Sequence, residues 1–257
     1  MPTVESLNAT IYYEVHGEGP ALAFAHGHGG NAASWWQQVP HFSRRYTVVV
    51  FDHRAFGRSR CAPEDCHPRH FAGDLLAILD EEGIGTAALV TQSMGGWTGL
   101  RLAVEHPERV ACLVLTSTIG GLLTDEVRAL VAAVDDSGLG FPARVLAPDF
   151  PAREPALTQL YLELARFNTA RPAESRERLY DRAAAIDVAA LQDYRTPTRF
   201  ISCERDQVFP PHVIRAAAAL VPGAEVVDFP GTGHSPYWED APRYNRLVEE
   251  FLEKHVS

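Results

Sequence analysis

Three residues far apart in this 257-residue chain carry the side chains that together make an activated nucleophile: Ser93, Asp206 and His234. A serine hydroxyl is a weak nucleophile at neutral pH. It becomes effective when an imidazole takes its proton, and a carboxylate must then fix the imidazole's tautomer and stabilise its cation. Each of the three stands among turn-forming residues. Ser93 lies in Thr91-Gln92-Ser93-Met94-Gly95-Gly96, Asp206 in Glu204-Arg205-Asp206-Gln207, and His234 in Pro230-Gly231-Thr232-Gly233-His234-Ser235. Taken singly, they read as a turn serine, a capping carboxylate and a helix-entry histidine. Taken together, they are the parts of one reaction.

To act jointly they must reach one place, and the surrounding elements supply it. The run 87–90 is apolar and β-favouring, and a helix-compatible segment, 99–106, follows the small residues after Ser93. A serine there sits on a sharp strand-to-helix corner, where the glycines let the helix pass close to the strand. Asp206 follows a strand at 198–203 and His234 follows one at 224–229. Further strands read at 10–15, 21–25, 46–51 and 110–115. Helices read at 32–43, from Phe71 up to Gly83, at 212–221, and in a last stretch toward Lys254. Ser235 is placed as an N-cap with Pro236 at the first helical position. Short apolar strands alternating with helices predict an α/β fold whose sheet is mostly parallel and doubly wound. Loops at the carboxyl edge of such a sheet converge on one crevice.

These motifs resemble the α/β-hydrolase superfamily, in its serine-nucleophile branch. The corner resembles the nucleophile elbow Gly-x-Ser-x-Gly, with Thr91 where glycine is usual. The chain order Ser, Asp, His is the one expected there. His26-Gly27-His28-Gly29-Gly30 resembles the loop after the third strand that supplies one oxyanion donor. By that resemblance His28 and Met94 each give a backbone N–H to the oxyanion. Asp52-His53-Arg54-Ala55-Phe56-Gly57-Arg58-Ser59 resembles a structural turn of the superfamily, with Ala55 in place of glycine. Some members take the acid from the strand after the elbow helix, but 116–121 holds no carboxylate. Asp228 lies within a strand, so Asp206 fits best, with Glu204 its nearest competitor.

The strand–helix rhythm stops between 122 and 195. Helical stripes follow instead: Val127, Leu130, Val131 and Val134, then 155–168, then 176–191. The expected organisation is therefore a core of 1–121 and 196–257 with a helical cap of 122–195 inserted late in the chain. Caps of this superfamily roof the active site. Arg144, Arg166, Arg171 and Arg176 lie in this segment, where they would meet an anionic substrate or simply face solvent.

Composition excludes several other functions. The net charge of −10 argues against nucleic acid and anionic membranes as partners. No apolar run approaches the ~20 residues of a membrane helix. No basic-then-apolar leader is apparent, so a cytoplasmic setting with reduced cysteines is expected. His26 and His28 lack the helical spacing of a metal pair. Cys61, Cys66, His67 and His70 do not match a zinc-site spacing and read as a solvated loop. No metal or cofactor is expected.

The function implied is hydrolysis of a small carboxylic ester or lactone through an acyl-enzyme. A serine nucleophile sets aside the dehalogenase and epoxide-hydrolase branches, which use aspartate. Ser93-Met94-Gly95-Gly96 also resembles the C–C bond hydrolases, which act on diketone-type substrates. Lyases and cofactor-free oxygenases share the fold, as do slow-turnover receptors for small ligands.

Overall fold

The computed structural model of the protein describes residues 2–135 and 138–256. Residues 136–137 of the expected cap, and residues 1 and 257 of the expected core, lie outside the described residues.

Side chains alternate along the central strands, and each strand is buried on both faces. In β3 (Ala21–Ala25), Leu22 and Phe24 enter one core while Ala23 and Ala25 enter the other. In β4 (Thr47–Phe51), Val48 and Val50 part from Val49 and Phe51 in the same way. β6 (Ala87–Gln92) and β7 (Val110–Thr116) repeat the pattern, with Ala88, Val90, Cys112 and Val114 on one side and Leu89, Leu113 and Leu115 on the other. A sheet apolar on both faces needs two covering layers. Helices Phe71–Glu81, Gly95–Glu105 and Pro211–Ala218 cover one face. Ala241–His255 covers the other, with Trp35 and Phe42 from the segment after β3.

The other strands are β1 (Thr3–Ser6), β2 (Ala9–His16), β5 (Arg60–Cys61), β8 (Thr198–Cys203) and β9 (Glu225–Phe229). The sheet order is β1-β2-β4-β3-β6-β7-β8-β9, with β5 beside β2. β2 runs antiparallel to β1, β4 and β5, and every pair from β4 to β9 is parallel. The chain builds outward from β3 to β4, then crosses back to lay β6 on the other side of β3. That reversal opens a crevice between the loops after β3 and β6.

Two expected helices take other forms. The segment 32–43 divides into a 3₁₀ turn, Ala32–Trp35, and a short helix, Val39–Phe42. Pro40 has no N–H to donate back and its ring would strike the preceding turn, so one helix cannot run through. Trp35 is fully buried, whereas Trp36 is 44% exposed. The segment 176–191 forms separate 3₁₀ turns at Glu177–Tyr180, Arg182–Ala184 and Val188–Leu191. Its backbone groups are used by the core instead. Trp97 Nε1 donates to the Leu179 carbonyl at 3.0 Å, Arg128 to Tyr180 at 2.9 Å, and Arg101 to Ala184 and Ala185 at 3.1 and 3.0 Å. The Ile186 N–H donates to Gly121 at 2.8 Å. The other helices between β7 and β8 are Asp125–Ala132, Phe150–Arg153 and Pro155–Arg166.

The turn after β4 is tied down from both sides. Asp52 accepts from the Ala32 and Arg58 N–H groups, both at 2.7 Å, and so binds this turn to the segment after β3. Arg54 reaches Asp74 through Nε at 2.8 Å, and both side chains are wholly buried. Ala55 takes φ 65°, the left-handed conformation that glycine would adopt more readily.

Candidate active site

Ser93 stands on the corner between β6 and helix Gly95–Glu105 with φ 50°. A left-handed serine is strained by about 1–2 kcal/mol, and such strain persists only where the surroundings over-determine it. Here they do. The Ser93 N–H donates to the Thr116 carbonyl at 3.0 Å, and Thr118 Oγ1 donates to the Ser93 carbonyl at 2.6 Å. The helix then passes so close to β3 that a Cβ on Gly95 would lie 2.1 Å from the Ala25 carbonyl oxygen. Gly96 is held as tightly, against Thr118 Oγ1 at 2.3 Å.

Asp206 and His234 meet although 28 positions separate them. Their loops leave the adjacent strands β8 and β9. The His234 Nδ1 lies 3.0 and 2.9 Å from the two Asp206 carboxylate oxygens, and both side chains are buried. A carboxylate only accepts, so Nδ1 carries the proton and Nε2 keeps its lone pair. Asp206 is itself pinned, accepting from the Val208 and Phe209 N–H groups at 2.8 and 2.9 Å. The competing carboxylates are engaged elsewhere. Glu204 accepts from the Gly231 N–H at 2.9 Å, and Asp228 forms an exposed pair with Arg215 at 2.7 Å.

The loop after β3 is rigid for a chain of reasons. His26 Nδ1 donates to the Gly27 carbonyl at 2.8 Å, while its Nε2 accepts the His53 N–H at 3.0 Å. Burial pushes the His26 pKa down to about 4, so the ring stays neutral in that tautomer. A Cβ on Gly27 would lie 2.1 Å from Gln92 Oε1 and would displace that side chain. His28 turns its ring away toward Ser175, with Nε2 2.9 Å from the Ser175 hydroxyl. Arg171 stands 3.3 Å from His28 Nδ1, which as the acceptor leaves the proton on Nε2. Burial, then Arg171 and Arg176, push the His28 pKa down to about 3. Among the described residues, neither the His28 nor the Met94 backbone N–H has a hydrogen-bond acceptor.

Ser93, Met94, His28 and His234 border one cavity of about 640 Å³. The segment between β7 and β8 supplies much of its remaining wall, including Phe141, Tyr161, Leu179 and Tyr180. Arg144, Arg166, Arg171 and Arg176 also line it.

Three positioning residues escaped the sequence reading. Gln92 Nε2 donates to the His234 carbonyl at 2.9 Å and ties the Ser93 corner to the histidine loop. Thr118 fixes the Ser93 carbonyl. Glu239 accepts from the Gly233 and Ala147 N–H groups, both at 3.0 Å, and clasps the histidine loop to the segment above it. Only Gln92, inside the elbow motif, carried a signal. Ser235 takes the expected N-cap position before Pro236, but its side chain makes no cap hydrogen bond. Its hydroxyl pairs with that of Tyr161 at 3.0 Å instead, and a second helix starts at Ala241, capped by Asp240. The loop 61–70 is less solvated than expected, because Cys66 is buried and His67 nearly so. Among the described residues, no group of three or more His, Cys, Asp or Glu is disposed to hold a metal. None of the described helices is long and apolar enough to cross a membrane.

The family described as alpha/beta hydrolase fold matches residues 20–241. The chain belongs to that family. It is similar to a protein named carbamate hydrolase RutD of Azorhizobium caulinodans, at 27% identity over 91% of this chain and 92% of the relative. Its fold is that of an esterase from Thermogutta terrifontis, with a TM-score of 0.83 and 23% identity over 100% of this chain and 99% of that one. The enol-lactonase of Burkholderia xenovorans LB400 gives a TM-score of 0.77 and 24% identity over 98% and 100%. The protein is thus an enzyme, a hydrolase of the α/β-hydrolase fold.

Proposed function

We propose that this α/β-hydrolase cleaves a small carboxylic ester or lactone through a Ser93–His234–Asp206 triad and an acyl-enzyme. The observation that carries this reading is the buried Asp206–His234 pair, whose imidazole borders the same cavity as the strained Ser93. Ser93 Oγ attacks the carbonyl carbon and passes its proton to His234 Nε2. The backbone N–H groups of His28 and Met94 receive the oxyanion. His234 then returns the proton to the departing alkoxide, and a water, deprotonated by the same nitrogen, releases the acid. Asp206 stays ionised throughout and holds the imidazolium. The segment 122–195 acts as a cap that excludes water and shapes the acyl site. The esterase and lactonase activities named for the structural neighbours accord with this chemistry, as does the hydrolase name of the RutD relative.

Labelling by a fluorophosphonate, followed with p-nitrophenyl butyrate turnover, tests it. The protein should take one label, and Ser93→Ala should abolish both label and turnover, a loss of several orders of magnitude. Undiminished hydrolysis by Ser93→Ala ends the reading.

A further inference from the structure

The protein carries a net charge of −10, yet no Asp or Glu is among the described residues that line its cavity. Four arginines are. They differ in what they can do there. Arg166 and Arg176 are exposed, so water screens them, and Arg166 also pairs with Glu163 at 2.5 Å. Arg171 is half-buried and, among the described residues, has no carboxylate within 4.0 Å.

Arg171 is also held in place. Its NH1 donates to the His28 carbonyl at 2.8 Å and faces His28 Nδ1 at 3.3 Å, and its guanidinium lies 5.7 Å from the Phe56 ring centroid. The segment that carries it is stitched to the glycine loop on both sides. Asn168 Nδ2 donates to the Gly29 and Gly30 carbonyls at 3.2 and 3.0 Å, and Asn31 Nδ2 to the Leu164 carbonyl at 2.9 Å. Ser175 meets the far side of the His28 ring at 2.9 Å. An arginine so fixed loses little further freedom when it binds an anion, and the guanidinium fork has donors beyond the NH1 that His28 engages. A half-buried cation without a counter-charge is also costly to the empty protein, and a bound carboxylate offsets that cost.

We infer that this site takes an ester or lactone that bears a carboxylate, which Arg171 receives beside the His28 end of the cavity while the carbonyl lies at Ser93. This rests on the serine-hydrolase reading above and names its substrate class. Arg171 bonds to the same residue whose N–H is assigned to the oxyanion, so one fixed loop sets both ends of the substrate. The neutral imidazole of His28 serves as a spacer, accepting from Arg171 and donating to Ser175, and adds no charge of its own. Arg171 makes this end of the pocket positive inside a negative protein, which draws an anion inward.

The test compares p-nitrophenyl hemiglutarate with p-nitrophenyl valerate, an ester of similar size without the charge. The wild-type protein should favour the hemiglutarate in kcat/KM by about 10–100-fold, the worth of a charge-assisted hydrogen bond. Arg171→Gln should erase most of that ratio through KM, and Arg171→Lys should restore part of it. Circular dichroism confirms that each variant is folded. A wild-type ratio near one, or a ratio unmoved by Arg171→Gln, overturns the inference even when fluorophosphonate labelling succeeds. If labelling fails, the serine-hydrolase reading falls, and calorimetric titration with glutarate decides the anion site by itself. Binding weakened by Arg171→Gln supports it, and equal or absent binding in both proteins overturns it.

Discussion

Gly99 and Thr91 are matched: a Cβ on Gly99 would come 2.6 Å from the Thr91 methyl. Thr91 occupies the elbow position where the family usually has glycine, and it is buried with its hydroxyl bonded to the Val114 carbonyl at 3.0 Å. The space for its branched side chain is made one turn into the following helix. Gly99→Ala should therefore destabilise the protein by about 1–3 kcal/mol, the usual cost of overpacking a core. Thr91→Gly added to Gly99→Ala should recover part of that loss, because Leu113 Cδ1, at 2.7 Å, is the other obstacle and can move. A double-mutant cycle by chemical denaturation reads the coupling. Strict additivity of the two changes contradicts the match.

The acid of the proposed triad is open to a direct comparison. In Asp206→Asn, the amide oxygen takes the Oδ1 place that serves the Val208 and Phe209 N–H groups, and the amide nitrogen takes the Oδ2 place, 2.9 Å from His234 Nδ1. That nitrogen can only donate, so the imidazole proton moves to Nε2 and the base is lost. Turnover of an activated ester should fall by roughly 10⁴, as in the protease precedent for this change. Glu204→Gln and Asp228→Asn should stay within a few-fold of wild type, since neither carboxylate contacts His234. Glu204→Gln proving the more damaging change would move the acid two residues upstream.

How far these residues could be read in advance varies with their physics. β3 and β8 coincide with the apolar runs expected at 21–25 and 198–203, because strands buried on both faces leave an uninterrupted signal. The corner at Ser93, the histidine loop and the loop of Asp206 were legible as turns because small and polar residues follow apolar runs there. β1 and β5 were not. β1 is largely exposed and β5 has two residues, so neither produces a hydrophobic pattern. The stretch 176–191 has helical spacing, but tertiary donors capture its carbonyls, and no local pattern reports those donors. Glu239 and Thr118 act through backbone contacts with loops distant in sequence, which leave no spacing to find.

The turn at 52–59 depends on the buried ion pair of Arg54 with Asp74. Asp74→Asn would leave the guanidinium without a counter-charge in a dry site. Such one-sided removals cost about 3–5 kcal/mol. Denaturant melts should show a loss of that size, while the fraction still folded should accept the fluorophosphonate label. A loss below about 1 kcal/mol would mean that the carbonyls of Leu7 and Asp65, at 3.3 and 3.0 Å, hold Arg54 by themselves.

Glu239 makes stability depend on pH. Burial raises its pKa from 4.5 to about 7, outweighing the backbone N–H groups that favour its charge. A carboxyl whose folded pKa is raised adds stability below its unfolded pKa and loses it as pH climbs to the folded one. Wild type should therefore weaken between about pH 4.5 and 7, by up to about 3 kcal/mol before solvent screening, and level off above. Glu239→Gln keeps an acceptor for these loops and cannot ionise. Its Tm, measured from pH 4.5 to 8, should lack that slope. Parallel curves for the two proteins would place the titration elsewhere.

The grip of Trp97 and Arg101 on the carbonyls of residues 179–185 has a consequence for descent as well as for shape. Both grasping side chains project from the helix that begins just beyond Ser93, and what they hold is main chain, which every amino acid shares. The roof can therefore change its letters without losing its course. Its inner side chains can be exchanged while the helix beneath keeps the path of the turns above it. In such a molecule, the lining of the cavity and the course of its wall are set by different atoms.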